Sequence, residues 1–225
     1  MGETSDRLYY GVDQQPITNP TKIKIIEVSI DLFSLRGYSG ASIRDITKLV
    51  GIKESSLYKH FKNKDEILET IFLNFRTETD KLLPPMEYAD RIVESMSLAA
   101  FLERGMENFL KHIDDGITQK IWRMMYIELF RHPMAQDIYQ NHIMKRTVDC
   151  LAIIFEKMVQ KGKMASLDPR TMAIEYQYCS ISWILEYTMM KTDGHNTDEL
   201  ERRIREHVKF FADLARTESP QEREA

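Results

Sequence analysis

The sequence contains no alternating strand pattern, no glycine-rich phosphate loop and no internal repeat. Because apolar residues recur at helical rather than alternating spacing, a β-sheet is not expected. A glycine-rich loop is the usual cradle for nucleotide phosphates, so its absence argues against a nucleotide cofactor. We therefore expect an all-α protein, and the residues indicate neither a cofactor nor a metal site.

Cysteine is scarce, and long apolar runs are missing. Cys150 and Cys179 both lie in apolar surroundings, and we interpret them as small core residues in a reducing cytoplasm rather than a disulfide or a nucleophile. No apolar run approaches the roughly 18 residues of a membrane span. Glu3 and Asp6 fall within residues 1–18, where no apolar block occurs. This segment is therefore predicted to be a flexible arm and not a signal peptide.

Helical periodicity continues through most of the chain after residue 18. Pro133 and Pro169 each follow a plausible capping residue, so they are expected to begin helices rather than break them. After the N-terminal region, helices are predicted at about 64–83, 97–113, 117–131, 133–161, 168–191 and 197–215.

Residues 20–68 predict three short helices packed around one small core, followed by the start of a fourth. Ser42 is a good N-cap, and Asp45 can complete a capping box with it. Gly51 suits the left-handed conformation that ends a helix. The residues expected to face the core are Ile25, Ile26, Leu32, Phe33, Ile43, Ile46, Leu49, Val50, Leu57 and Phe61. This arrangement is typical of a helix-turn-helix domain.

The outer face of this segment is basic and rich in hydroxyl groups. Between Ser42 and Lys64 there are six Lys or Arg residues and two acidic residues, although the whole chain has a net charge of −4. Such a local excess of positive charge favours contact with DNA phosphates. The predicted DNA-binding residues are Ser42, Arg44, Lys53, Ser55, Ser56, Tyr58, Lys59, His60 and Lys64.

The chemistry of these side chains separates those suited to the DNA phosphates from those suited to the DNA bases. Four of them suit contacts with phosphate oxygens, and such contacts fix the position of the protein on the duplex without reading the base sequence. These four are Tyr58, Lys59, His60 and Lys64. Three lie at the start of the second helix of the motif, where side chains reach base edges in the major groove: Lys53, Ser55 and Ser56. Arg44 can serve either purpose.

The gap-free stretch from Ile25 to Leu68 resembles the DNA-binding domain of the TetR family of transcriptional regulators. The most specific part is the LYxHFxxK pattern, present here from Leu57 to Lys64. Other matching residues are Ile25, Leu32, Phe33, Gly37, Tyr38, Ser42, Ile46, Gly51 and Leu68. Lys53 departs from the pattern, because it stands where a serine cap is common.

The resemblance implies an architecture for the whole chain. It implies a helix-turn-helix domain at 19–68 and a larger helical domain for ligand binding and dimerisation at 69–216. The ends at 1–18 and 217–225 are expected to be flexible. The last two long helices, at about 168–191 and 197–215, correspond to the pair through which TetR-like proteins form homodimers. A dimer also suits a short reading helix, which would bind DNA weakly alone.

The C-terminal two-thirds is rich in large, adaptable apolar side chains. Both tryptophans and every methionine except the first lie from Met86 onward. Seven residues could line a cavity for an apolar or aromatic ligand: Trp122, Met125, Tyr126, Phe130, Tyr176, Trp183 and Tyr187. For any one of these residues, core packing of a helical bundle is the favoured explanation.

The leading hypothesis is a homodimeric cytoplasmic repressor that leaves a palindromic operator when a small molecule binds its C-terminal domain. One alternative is a DNA-binding regulator without a small-molecule ligand, which is constitutive or controlled by a protein partner. Another is an all-helical enzyme, but no HxxxH or ExxH pair of the six histidines shares a helix face. We therefore expect a regulator and not an enzyme.

Overall fold

The computed structural model describes residues 7–216, and these form a helical protein with one small two-stranded hairpin, which confirms the all-α prediction. The α-helices in chain order are α1 (Pro20–Arg36), α2 (Ile43–Val50), α3 (Glu54–Leu57), α4 (Lys64–Asp80), α5 (Ala89–Ser95), α6 (Leu98–Ile113), α7 (Gly116–Glu128), α8 (Pro133–Asp137), α9 (Arg146–Gln160), α10 (Pro169–Thr192) and α11 (Asp198–Leu214). A 3₁₀ turn at Met86–Tyr88 and a π-helix at Ile138–Lys145 complete the helical elements of this region.

The described residues divide into two compact units. Unit 1 comprises residues 7–79 and Asp115–Ile138, and unit 2 comprises Asp80–Asp114 and residues 139–216. The division differs from the boundary predicted at residue 68, because α7 belongs with the helix-turn-helix segment and not with the rest of the C-terminal helices.

A β-hairpin opens the described part of unit 1, with β1 (Tyr9–Tyr10) antiparallel to β2 (Pro16–Ile17). Tyr9 is only 1% exposed, and the backbone N–H and C=O of Tyr10 both bond to the Asn74 side chain at 2.8 Å. Residues 7–18 are therefore ordered and do not form the flexible arm that was expected. Strands of only two residues are too short to show an alternating pattern, so the hairpin could not be predicted from the sequence. Residues 1–6 and the predicted tail at 217–225 lie outside the described residues.

The core of unit 1 forms where α1 packs on both α2 and α7. The Ser42 hydroxyl accepts the Asp45 N–H, and the Asp45 carboxylate accepts the Ser42 N–H at 2.9 Å, so the predicted capping box is present. Gly51 ends α2 with a φ of 83°. Leu49 is 58% exposed and does not join the core, contrary to the predicted apolar stripe, because α2 buries a narrower face.

In unit 2, α10 packs on α9 and α11 packs on α6. Pro169 occupies the first turn of α10, and the Asp168 carboxylate accepts the Thr171 N–H at 2.6 Å, as expected of a helix start. The single helix predicted at 133–161 is instead divided by the π-helix. Helix α5 was not predicted because its seven residues bury only Ala89 and Val93.

No helix among residues 7–216 has both the length and the apolar content needed to cross a membrane.

Candidate DNA-binding surface and regulatory domain

The residues predicted to read base edges lie at the start of α3. Lys53 is the N-cap position of this helix and makes no side-chain capping bond there, as its departure from the usual serine indicates. Lys53 and Ser55 are exposed, and Ser56 is half-buried. Helix α3 covers only Glu54–Leu57, shorter than the two turns expected, because the chain passes into a turn at Tyr58. Leu57 is fully buried and anchors this short helix to unit 1.

The residues predicted to bind phosphates follow directly. Tyr58 is 52% exposed and Lys59 is exposed, whereas His60 is half-buried. On the preceding segment, Ser42 and Arg44 are exposed as well. These five residues lie in two separate stretches of unit 1, and all of them except the half-buried His60 are exposed.

Lys64 has a second role that the sequence did not reveal. Its Nζ donates to the carbonyl oxygens of Tyr38 and Ala41, each at 2.9 Å, and lies 4.0 Å from the centre of the Tyr38 ring. An ammonium group has three N–H donors, so at most one of them can reach a phosphate. Lys64 thus joins the first turn of α4 to the turn between α1 and α2.

Other lysines of the segment also act within the fold. Lys24 donates to the carbonyl oxygen of Val50 at 3.0 Å, which satisfies the C-terminal end of α2. Lys22 lies 4.9 Å from the centre of the Phe61 ring. Neither lysine falls between Ser42 and Lys64, where the charges were counted, and the count includes Lys64 although that side chain also bonds within the fold.

Asp45, one of the two acidic residues within the basic face, is held in its charged form. Hydrogen bonds from the side chain and the backbone of Ser42 lower the pKa of Asp45, because they stabilise the carboxylate. Asp45 therefore keeps a local negative charge beside the exposed Arg44. Its function is structural, since it closes the capping box that begins α2.

Four of the predicted ligand-contacting residues belong to unit 1. Trp122 and Met125 on α7 are fully buried, and Trp122 makes an edge-to-face contact with Phe75 at a ring distance of 5.2 Å. Tyr126 is half-buried, with its ring 5.8 Å from that of Trp122. Phe130, just after the helix, is 89% exposed. Trp122 and Tyr126 therefore contact each other, whereas Phe130 lies exposed.

The other three predicted residues lie on α10 in unit 2. Tyr176 is buried against the rings of His207 and Phe211, at 5.9 and 5.0 Å. Trp183 is half-buried beneath the guanidinium group of Arg203, which lies 4.9 Å from its ring centre.

Tyr187, the third of these residues, is fully buried at a junction of three helices. Its hydroxyl donates to the Asp114 carboxylate at 3.0 Å, at the end of α6. Glu201 on α11 lies 3.4 Å from the same hydroxyl. Burial and the hydrogen bond to Asp114 raise the pKa of Tyr187. These contacts show that the tyrosine has a packing role, whether or not it also contacts a ligand.

Unit 2 also carries an open groove of about 480 Å³ between α9 and the start of α10. Ala152, Ile153 and Pro169 supply its apolar lining, and an ion pair between Asp149 and Arg170, 2.8 Å apart, lies at its edge. None of the seven predicted ligand-contacting residues lines this groove.

Comparison with protein families gives two matches that together cover most of the chain. Residues 25–71 match the family described as bacterial regulatory proteins, tetR family. Residues 97–214 match the family described as the C-terminal domain of AefR-like transcriptional repressors. The second match alone spans more than half of the 225 residues.

Curated relatives match this chain over a short stretch. The biofilm operon negative regulator IcaR of Staphylococcus epidermidis is 54% identical over 46 residues, which are 20% of this chain and 25% of that protein. IcaR of Staphylococcus aureus strain Newman is 52% identical over 48 residues, or 21% and 26% of the two chains. This chain thus spans only about a quarter of the length of these curated relatives.

Solved structures extend the likeness over the rest of the fold. Salmonella enterica GusR superposes with a TM-score of 0.61 at 17% identity, covering 86% of this chain and 96% of that one. AibR in complex with isovaleryl coenzyme A and operator DNA gives 0.59 at 20% identity, covering 87% and 97%. With its helix-turn-helix segment and its matched C-terminal helices, this chain belongs to the TetR family of bacterial DNA-binding transcriptional regulators, which are not a class of enzymes.

Proposed function

We propose that this protein is a repressor that binds a palindromic operator as a homodimer and leaves it when a small apolar or aromatic ligand binds the C-terminal domain. Its place of action is the bacterial cytoplasm, where the DNA lies. The observation that carries the proposal is the exposed basic surface formed by the segment from Ser42 to Lys59, on a family fold of DNA-binding regulators.

Dimerisation is supported by an unpartnered apolar stripe on the last two long helices. On α10, exposed apolar residues recur at intervals of four and seven, which places them on one helix face. They are Ile174, Tyr178, Leu185 and Met189, exposed by 36%, 60%, 39% and 58%. On α11, Phe210 and Leu214 are 66% and 59% exposed. Contiguous apolar surface of this kind marks an interaction site, and a second copy supplies a matching face.

Operator binding is expected to depend steeply on salt, because phosphate contacts release counterions. With a duplex selected from random sequences, affinity should fall by about a thousandfold or more between about 50 and about 200 mM salt if six or more phosphates are contacted. The selected sequence should contain an inverted repeat whose half-sites lie about one helical turn apart, or a multiple of it. Fluorescence anisotropy titrations at several salt concentrations measure the slope.

Single substitutions separate the two kinds of DNA contact. Lys59→Ala should reduce the salt slope by about one per protomer, and so by about two for the dimer, on all duplexes, whereas Ser56→Ala should change base preference at one position of each half-site. Lys111→Ala removes an exposed lysine from unit 2 and serves as the control with an unchanged slope. Salt-independent affinity of the unaltered protein would contradict the phosphate assignment.

Ligand control is supported by one solved structure of similar fold. The structure of AibR holds isovaleryl coenzyme A together with operator DNA, so a fold of this kind can accommodate both. The alternative, a regulator that is constitutive or controlled by a protein partner, requires no small molecule. The two proposals differ in whether DNA affinity responds to a ligand added alone.

Isovaleryl coenzyme A is the first probe for this response. If the C-terminal domain accepts an acyl group, operator affinity should fall by about 5- to 150-fold at saturating probe, as is usual for allosteric coupling. Coenzyme A without the acyl group is the matched control and should have a weaker effect. Unchanged operator affinity with this compound and with a panel of apolar and aromatic acids would favour the ligand-free alternative.

A further inference from the structure

The turn between α1 and α2 is held by a residue of α7, although the sequence places the two far apart. Glu128 ends α7 and is only 2% exposed. Its Oε1 accepts the backbone N–H of Tyr38 at 2.7 Å. A Cβ atom added to Gly37, which has a φ of 72°, would lie 3.0 Å from the same oxygen. The turn therefore fits closely against the Glu128 side chain, and glycine is needed at residue 37.

Tyr38 connects this contact to the rest of the DNA-binding segment. Its ring meets Phe33 of α1 and His132 edge-to-face, at 5.4 and 5.7 Å. Its carbonyl oxygen accepts from Lys64, and its hydroxyl donates to Asp65 at 2.5 Å. Burial raises the pKa of the Tyr38 phenol far above its usual range, and the Asp65 carboxylate raises it further, so the phenol keeps the proton that it donates.

Helix α3, which carries the predicted base-reading side chains, lies in the chain between α2 and α4. The turn that Glu128 holds leads into α2, and Lys64 joins that turn to the first turn of α4. Because α3 has only four residues and no side-chain cap, it depends on its neighbours for its orientation.

We propose that Glu128 is a positioning residue for operator recognition. Its hydrogen bond to the Tyr38 N–H sets the turn between α1 and α2, and through Lys64 it sets the spacing of α2 and α4 on either side of α3. The inference rests on the proposed DNA contacts of α2 to α4, and it is independent of the ligand and of the dimer interface.

Removal of the Glu128 carboxylate, which accepts the Tyr38 N–H, is expected to weaken binding to the operator more than binding to non-specific DNA. The Tyr38 N–H is partly buried, and an N–H that is shielded from water and has no partner is costly, so the turn shifts until Tyr38 finds another acceptor. Base readout requires every side chain in register, whereas non-specific attraction to phosphates tolerates small displacements. The contact is therefore expected to govern the ratio of operator affinity to non-specific affinity.

Three substitutions at this position test the proposal. Glu128→Gln keeps an acceptor oxygen in place, Glu128→Ala removes it, and Glu128→Asp keeps the carboxylate but withdraws it by one methylene group. We expect Glu128→Ala and Glu128→Asp to lose about tenfold or more in affinity for the selected operator and less than about twofold for a scrambled duplex. Glu128→Gln should stay within about threefold of the unaltered protein on both. Glu103→Ala, at an exposed position of α6, is the control for charge.

The amide proton of Tyr38 gives a direct readout in ¹⁵N-tyrosine-labelled protein. Its resonance should move upfield in Glu128→Ala and Glu128→Asp and stay near its original position in Glu128→Gln. If the alanine variant does not fold, the aspartate and glutamine variants carry the comparison. Operator preference retained by Glu128→Asp, or equal losses on both duplexes, would overturn the inference. An unaltered protein without operator preference would instead contradict the proposed function.

Discussion

Leu185→Glu is expected to turn the dimer into a monomer and to lower operator affinity by about a hundredfold or more. Leu185 lies in the middle of the apolar stripe on α10 and is 39% exposed in the single chain. In a symmetric dimer each substitution acts twice, and it would place two charges in an interface with no partner for them. Once the two reading heads are separate, the effective concentration that links their half-sites is lost.

The matched control for this experiment is Ile153→Glu on α9. Ile153 is 40% exposed, close to the value for Leu185, so the substitution also places a carboxylate at a partly exposed apolar position. This position lies outside the stripe on α10. Sedimentation velocity measures the oligomeric state, and anisotropy with the operator duplex measures affinity. A Leu185→Glu variant that remains dimeric and binds normally would show that the two copies associate through another surface.

Trp122→Ala is expected to reduce the free energy of unfolding by about 3–5 kcal/mol, the usual loss for a large aromatic residue removed from a core. Trp122 is fully buried, and its ring contacts those of Phe75 and Tyr126. Since the total stability of a domain is typically about 5–15 kcal/mol, such a loss would leave unit 1 marginally stable. Urea denaturation followed by circular dichroism measures the change.

Trp183→Ala provides the comparison within the same chain. Trp183 is half-buried, and Arg203 covers one face of its ring, so its removal should cost clearly less than that of Trp122. A loss below about 1 kcal/mol for Trp122→Ala would contradict the core assignment. In that case the indole would be better explained as part of a ligand cavity than as packing.

Local features of the fold could be predicted because neighbouring residues determine them. The Ser42–Asp45 capping box and the left-handed Gly51 depend on contacts within four residues. Pro169 likewise begins a helix for reasons contained in its own first turn. The family motif from Leu57 to Lys64 indicated the helix-turn-helix for the same reason, since its pattern is continuous in sequence.

Contacts between distant segments could not be predicted from these patterns. The pairing of Glu128 with Tyr38 joins residues 90 positions apart, and the two carbonyl contacts of Lys64 depend on the packing of separate helices. One signal was available, because Glu128 falls three residues after the buried Met125, on the apolar face of α7. A carboxylate at such a position requires a buried donor, although the sequence does not say which one.

Unit 1 also limits how freely a reading head can be exchanged between members of the family. A chimaera that replaces only residues 19–68 would leave Glu128 opposite a foreign turn. Because unit 1 includes the hairpin and α7 as well as the helix-turn-helix, the portable module is discontinuous in sequence. A single crossover point can transfer it whole only together with Asp80–Asp114 of unit 2, so its parts must change together when DNA specificity diverges.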